Sequence, residues 1–278
     1  MFDVTDEWYT YKLRQEEEVG PKPTAANTLL RCSDAGSCER QRGFNAINAK
    51  PTEHRSAETM LAFELGNAIH ESLQEMMLQL DGFNTAIEVP VDLSGWGVSL
   101  SGHCDAVMTN SEGKCMVVEI KTMSGYGAVR HFVGGPKREH VAQAGLYAAG
   151  LDADAILIIY VAKEAAYRKS LSVRPGQIMQ WYYELDEEVY PDESVRDVMQ
   201  MELNRFARVE RELSKNRLPE PLVQDEETLE MFRVDLPGPF DQPSKHHHWE
   251  CRYCVYNSAC VEHGPLTDLS EVEVLQIG

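Results

Sequence analysis

The sequence lacks long hydrophobic runs. No stretch of about 18 consecutive apolar residues occurs, which excludes a membrane-spanning helix of ordinary length. The first twenty residues are acidic and aromatic, whereas a secretory signal begins with basic residues and continues with apolar ones. We therefore expect a soluble protein of the cytoplasm.

Basic residues are also scarce. The chain has 26 Lys and Arg against 45 Asp and Glu, a formal net charge of -19. Binding to phosphate normally uses clustered Lys and Arg, so this balance argues against tight, non-specific coating of duplex DNA. It does not exclude a nucleic-acid enzyme, because bound divalent cations supply positive charge inside an acidic site. No Gly-x-x-x-x-Gly-Lys-Ser/Thr sequence occurs, so the chain carries no ATP motor of that kind.

The seven cysteines have a spacing that favours a metal site. In a reducing compartment, disulfide pairing is not expected. Cys251, Cys254 and Cys260 lie close enough in sequence to hold three corners of a tetrahedral or cubane site. A fourth ligand would come from Cys38 or Cys32, and spacing alone does not separate zinc from an iron–sulfur cluster.

Apolar spacing predicts an α/β fold. A chain of 278 residues can bury a full core, so we expect one compact domain. Residues 6–23 are typical of a short helix and linker, and residues 219–245 of a second linker. Three strands between 85 and 121, separated by turn signals, indicate an antiparallel meander. The predicted helices are 57–80, 138–150 and 193–216, and the predicted strands are 87–91, 98–107, 115–121, 155–161 and 180–185.

The helix predicted over 57–80 places a histidine on its apolar face. The residues that recur there at three- and four-residue steps are Phe63, Gly66, His70, Leu73 and Met77. An inward histidine needs a polar partner. Taken alone, His70 is more often a core residue than a ligand.

Two neighbouring strands carry acidic residues. Strand alternation puts Glu119 and Lys121 on one face, with Val118 and Ile120 on the other. If the strands pair in register, Asp105 reaches the face of Glu119. Two carboxylates on adjacent strands form an oxygen site suited to Mg²⁺ or Mn²⁺. The alternative is a solvated strand face with an ordinary Glu–Lys pair.

Four short motifs occur in one order along the chain. They are Gly66-Asn-Ala-Ile-His70, Gly102-His-Cys-Asp105, Glu119-Ile-Lys121 and Gln143-Ala-Gly-Leu-Tyr147. In this order the sequence resembles the PD-(D/E)XK nuclease superfamily, in particular its RecB-type branch, which includes the AddB nuclease domain and the CRISPR-associated exonucleases. The resemblance implies a restriction-endonuclease-like α/β core, with a central mixed sheet flanked by helices.

The resemblance also implies a role for each motif residue. The implied ligands of Mg²⁺ or Mn²⁺ are His70, Asp105, Glu119 and the backbone carbonyl of Ile120. Lys121 would be the catalytic lysine beside these ligands. Gln143 and Tyr147, four residues apart on one helix face, would hold the DNA end or the active-site network.

The segment around Cys38 also carries a resemblance. Ser37-Cys38-Glu39-Arg40 resembles the Cys-x-Arg signature of RecB-type iron–sulfur nucleases, which favours Cys38 over Cys32. The implied ligands of a [4Fe–4S] cluster are Cys38, Cys251, Cys254 and Cys260, with zinc as the rival metal. The cluster would sit in a helical module made from both termini. The expected segments are 1–54 with the first cluster cysteine, 55–190 as nuclease core, and 191–278 with the remaining cysteines.

The function expected from the resemblance is metal-dependent hydrolysis of phosphodiester bonds at DNA ends, on single-stranded DNA, in recombination, repair or phage DNA processing. One alternative is an endonuclease or end-trimming subunit that works with recombination or CRISPR-adaptation proteins. The other is a non-catalytic DNA-binding module with a structural zinc site.

Overall fold

The computed structural model describes residues 4–19, 30–53, 56–168, 171–220, 251, 254–263 and 268–274. The chain divides into two compact units. Unit 1 comprises Met1–Leu30, Ser37–Leu61 and Arg205–Gly278, and unit 2 comprises Arg31–Gly36 and Ala62–Asn204. The three-segment division expected from the sequence stays a prediction.

Helices and strands alternate along the described residues. The helices are α1 (Val4–Val19), α2 (Glu39–Ala46), α3 (Ala57–Met77), α4 (Gly125–Gly134), α5 (Arg138–Leu151), α6 (Val195–Ser214) and α7 (Asn257–His263). The strands are β1 (Leu30–Arg31), β2 (Phe83–Asp92), β3 (Leu100–Asn110), β4 (Cys115–Met123), β5 (Ala155–Ala162), β6 (Ala166–Arg168), β7 (Leu171–Val173), β8 (Ile178–Glu184), β9 (Glu188–Tyr190) and β10 (Glu193–Ser194).

A six-stranded mixed sheet forms the centre of the fold. Its order is β1-β3-β4-β5-β8, with β2 pairing β3. The meander predicted from the sequence is confirmed, because β2, β3 and β4 pair antiparallel in turn. β4 and β5 are parallel, and the chain between them forms α4 and α5. An α/β fold with a mixed central sheet, as expected, is therefore present.

One buried hydrophobic cluster of unit 2 lies between α3 and the sheet. β5, which the sequence predicts as a buried strand, is buried at seven of its eight positions. The buried cluster on this face consists of Met77, Ala106, Met108, Val118, Ile120, Ile159 and Val161, with Ile69 and Leu73 of α3 packed against it. Apolar side chains from strands and helix thus hold α3 against the sheet.

The prediction that one face of α3 points inward is confirmed except near the start of the helix. Gly66 and Met77 are buried, and His70 and Leu73 are half-buried. Phe63, predicted to face inward, is instead 53% exposed. The residues of α3 that pack against the buried cluster of the sheet run from Ile69 to Met77. Phe63 precedes this contact, so the prediction that it faces inward is wrong.

α4 is a helix that apolar spacing does not predict. Ser124 caps its start, accepting a hydrogen bond from the N–H of Gly127 at 3.2 Å, a typical N-cap contact. Gly135 ends it with a positive φ of 75°, which glycine adopts readily. Its buried positions include the small residues Gly125 and Ala128, which give little hydrophobic signal.

Unit 1 joins segments that are distant in sequence. Its buried residues are Phe44, Ala49, Leu218, Tyr256, Ala259 and Val272. The rings of Phe44 and Tyr256 stack with centroids 4.9 Å apart. A Cβ on Gly43 would lie 2.8 Å from Pro219 Cδ, so glycine allows α2 to approach the chain after α6. The linker predicted over 219–245 lies outside the described residues beyond 220.

Among the residues whose placement is described, none of the helices combines the length and apolar character needed to cross a membrane.

Candidate active site

β3 and β4 bring two carboxylates to neighbouring positions. Their antiparallel register pairs Ala106 with Val118. Asp105 precedes Ala106 and Glu119 follows Val118, so the two acidic residues lie opposite each other on the neighbouring strands. Asp105 Oδ2 accepts a hydrogen bond from the backbone N–H of Ile120 at 2.6 Å. This bond fixes the carboxylate of Asp105 against β4.

The alternation of β4 separates its core side chains from its polar ones. Val118 and Ile120 belong to the buried cluster under α3. Glu119 and Lys121 therefore project to the opposite face, as the sequence predicts. There Lys121 Nζ lies 2.6 Å from Glu119 Oε1. Glu119 is only 2% exposed, so this ion pair is largely shielded from water.

α5 adds two residues to this ion pair. Lys121 Nζ donates to Gln143 Oε1 at 3.0 Å. Gln143 Nε2 donates in turn to the hydroxyl of Tyr147, also at 3.0 Å. Gln143 and Tyr147 are both buried. The two residues therefore fix the lysine from the helix side, and the shared face predicted for them is present.

The buried ion pair has an unusual charge balance. Burial raises the pKa of Glu119 to about 7, and Asp105 adds to the rise, although Lys121 opposes it. Burial alone would lower the pKa of Lys121, but Glu119 and Asp105 outweigh burial and raise it. The lysine therefore stays charged, and the site holds more potential negative charge than it can stabilise unaided.

α3 brings an imidazole to the same place. His70 Nδ1 lies 3.4 Å from Asp105 Oδ1, and both side chains are partly exposed. One turn earlier, a Cβ on Gly66 would lie 3.2 Å from Thr122 Oγ1 of β4. Glycine at this position lets α3 approach the strand that carries the acidic residues.

The glycine of the Gly-x-x-Asp motif has a packing role. A Cβ on Gly102 would lie 2.8 Å from Tyr147 Cε1 and 3.2 Å from Cys32 Cβ. Any larger residue would displace the tyrosine that supports Gln143. Cys32 is fully buried here in unit 2, and burial raises the pKa of its thiol.

The donor set can be tested against a divalent cation. Within the described part of the chain, no three His, Cys, Asp or Glu side chains converge as a ready-made metal group. The Glu119 carboxylate is turned to Lys121. The chemistry of the set nevertheless fits Mg²⁺ or Mn²⁺, which prefer carboxylate oxygens. Burial and then Asp105 raise the pKa of Glu119, and a bound cation would favour the ionised carboxylate by supplying positive charge.

Sequence reasoning missed a histidine next to this site. His140 Nδ1 lies 2.5 Å from the hydroxyl of Tyr160, which also accepts from the N–H of Lys137 at 2.8 Å. Burial and the charge of Lys121 lower the pKa of His140 to about 2, so its imidazole is neutral. His140 precedes Gln143 by three residues on α5, and this helical spacing is the signal that could have found it.

The predicted cluster cysteines lie in unit 1. Cys38 stands at the start of α2, and the N–H of Cys254 donates to the carbonyl of Cys251 at 3.2 Å. Burial raises the pKa of the Cys260 thiol, while Arg40, which hydrogen-bonds to it, and Cys38 act in opposite directions. Cys38 and Cys260 thus interact electrostatically within unit 1, but among the described side chains no three cysteines converge as a metal group. Cys32 belongs to unit 2.

Comparison with known proteins shows the family. The model of the PD-(D/E)XK nuclease superfamily matches residues 11–261. The crystal structure of SSO0001 covers 93% of this chain and 96% of that chain, with 18% identity and a TM-score of 0.48. The alkaline exonuclease LHK-Exo from Laribacter hongkongensis covers 67% of this chain and 90% of that chain, with 12% identity and a TM-score of 0.41. No curated protein matches. Because the family model spans most of its length, the chain belongs to the PD-(D/E)XK nuclease superfamily.

Proposed function

We propose that the protein is a DNA exonuclease that requires Mg²⁺ or Mn²⁺ and hydrolyses phosphodiester bonds at the ends of single-stranded DNA. Nucleases of this superfamily typically use these two cations. The observation that carries the proposal is the buried pair of Glu119 and Lys121 beside Asp105. An ordinary solvated strand face would not bury a carboxylate whose pKa is raised toward neutrality.

The residues divide into cation ligands and groups that act on water or phosphate. The proposed ligands are His70, Asp105, Glu119 and the carbonyl of Ile120. The cation, when bound, lowers the pKa of a water molecule and stabilises negative charge on the phosphate. Lys121, held by Gln143 at 3.0 Å, orients the attacking water and balances the charge that develops on phosphate.

Preference for single strands is supported by exposed aromatic side chains beyond β4. Tyr126 and Phe132 of α4 are 74% and 48% exposed. Tyr167 of β6, a strand that packs against α4, is 76% exposed. Bases of a single strand can stack on such rings, whereas paired bases in a duplex cannot. Arg130, also exposed on α4, adds a phosphate contact.

The test uses labelled single-stranded, duplex and circular DNA with Mg²⁺, with Mn²⁺ and with EDTA. We expect metal-dependent release of nucleotides from linear single strands and no attack on circles. Glu119→Ala and Lys121→Ala should lose this activity, while Glu112→Ala, at an exposed turn, should keep it. Equal activity in wild type and both site variants would refute the assignment. Cleavage of circles would show an endonuclease instead.

We further propose that Cys38, Cys251, Cys254 and Cys260 hold a [4Fe–4S] cluster. Support comes from the cysteine spacing and from the location of all four cysteines in unit 1, where Arg40 interacts with both Cys38 and Cys260. Their spacing also suits zinc.

Visible absorption with iron and zinc analysis of protein purified without oxygen tests the cluster. We expect a brown protein that loses iron in Cys38→Ala but keeps it in Cys32→Ala. A colourless zinc protein, or the reverse behaviour of the two variants, would overturn the proposed cofactor or the proposed ligand.

A further inference from the structure

The pairing of β2 with β3 is interrupted beside Asp105. In this described ladder, Ile87 of β2 pairs with Ala106 of β3, and Val89 pairs with Cys104. Glu88 and Asp105, which lie between these two pairs, are not paired with each other. Glu88 has φ of 48°, a left-handed conformation that residues other than glycine rarely adopt. The interruption therefore leaves the main-chain carbonyl of Asp105 in need of a donor other than the ladder.

Gln74 of α3 supplies that donor. Its Nε2 donates to the main-chain O of Asp105 at 2.9 Å. The same Nε2 donates to Oε1 of Glu88 at 2.7 Å. Gln74 itself is 5% exposed, whereas Glu88, the acceptor of the second bond, is exposed. One side chain thus joins α3, β2 and β3 at the point where the ladder is interrupted.

The position of Gln74 on α3 connects this contact to the site. Gln74 follows His70 by four residues, so the two side chains lie on one face of the helix. His70 reaches the carboxylate of Asp105 at 3.4 Å, and Gln74 reaches the main-chain carbonyl of the same residue. The helix therefore contacts Asp105 twice, one turn apart.

We propose that Gln74 is a positioning residue that sets the distance between His70 and Asp105 and so prepares them for a cation. This inference rests on the proposed function, because it concerns the same site. Gln74 Nε2 donates to two acceptors at once. A side chain in this role needs an atom that carries two N–H groups, as the amide nitrogen of glutamine does. Glutamate of the same length carries none when ionised, and methionine carries none at all.

The experiment measures Mn²⁺ affinity by calorimetry with MnCl₂ alone. Gln74→Met and Gln74→Glu should each bind Mn²⁺ ~10- to 100-fold more weakly, the usual effect of losing a group that orients a metal ligand. Leu73→Ala is the matched control, because it removes core packing on the neighbouring residue but no bond to β3. It should lower the melting temperature and leave Mn²⁺ affinity unchanged.

Activity provides a second readout. Gln74→Met should lower kcat and leave KM for DNA unchanged, because Gln74 is buried and makes its bonds to protein groups. Wild-type Mn²⁺ affinity in both folded Gln74 variants would overturn the inference, as would an equal loss of affinity in Leu73→Ala. If only one of the two Gln74 variants folds, the Mn²⁺ affinity of that variant alone tests the inference.

Asp105→Ala separates this inference from the proposed function. If it binds Mn²⁺ and cleaves DNA like the wild type, the proposed site is wrong and the role of Gln74 fails with it. If Asp105→Ala loses Mn²⁺ binding while the Gln74 variants retain it, only the role of Gln74 is wrong.

Discussion

Replacing Glu119 with glutamine should stabilise the metal-free protein at neutral and alkaline pH while abolishing nuclease activity. Glu119 is 2% exposed and lies beside Asp105. Its ionised form therefore has little water around it and a like charge nearby. Glutamine has the same shape and carries no charge, so the variant avoids the cost of an ionised carboxylate in this position.

The magnitude follows from the pKa. Burial raises the pKa of Glu119 from 4.5 to about 7, and a difference of this size corresponds to ~3 kcal/mol of folding free energy. A carboxyl whose pKa is raised by folding contributes stability that is fully present below its unfolded pKa. That contribution is lost as the pH rises through about 7. Glu119→Gln should therefore be ~3 kcal/mol more stable than the wild type at about pH 8, and equally stable below pH 4.5.

Urea unfolding in EDTA at several pH values measures this difference. Glu112→Gln, at an exposed turn, is the control and should follow the wild type at every pH. Added Mg²⁺ should stabilise the wild type more than Glu119→Gln, because the variant lacks one of the two carboxylates proposed to bind the cation. A variant no more stable than the wild type at about pH 8, or an advantage that does not change with pH, would refute the reasoning.

Three further substitutions, one of them with a matched control, test single contacts. Lys121→Met removes the ammonium group and should lower kcat ~10²- to 10³-fold in a DNA cleavage assay; a loss under tenfold would contradict its role. Gly102→Ala brings a methyl group 2.8 Å from Tyr147 Cε1 and should cost ~1–3 kcal/mol in urea unfolding. Gly134→Ala, with open space around it, should change stability by less than about 1 kcal/mol, and equal effects would contradict the packing argument. Phe44→Ala, at a residue 1% exposed in unit 1, should cost ~3–5 kcal/mol in the same assay, and a cost below about 1 kcal/mol would show that unit 1 does not depend on this ring.

The sequence predicts those elements in which apolar residues recur at the spacing of a helix or a strand. The strand predicted over 155–161 is Ala155–Ala162 in the structure, and the helix predicted over 138–150 is Arg138–Leu151. α4 escapes prediction because small residues line part of its buried face. Periodicity wrongly predicts Phe63 in the core, because it gives the face of a helix but not the length of the contact between that face and the sheet.

The candidate site could be predicted where a residue belongs to a motif. The structure brings His70, Asp105, Glu119, Lys121 and Gln143 together in unit 2. Helical spacing could have pointed to His140, which lies three residues before Gln143 on α5. Gln74 could not be predicted, because its contact depends on an interrupted strand pair that no spacing rule encodes. The roles of the motif residues stay predictions.

The parallel pairing of β4 and β5 has a consequence for the order of folding. The β3–β4 hairpin is local in sequence and can form early, and it brings Asp105 and Glu119 to neighbouring positions. The parallel pair forms only after the intervening chain has closed a long loop, which is a slower step. That loop contains Gln143, which holds Lys121. We therefore expect Asp105 and Glu119 to come together before Gln143 holds Lys121, and the proposed site to be complete only after α5 has docked on the sheet.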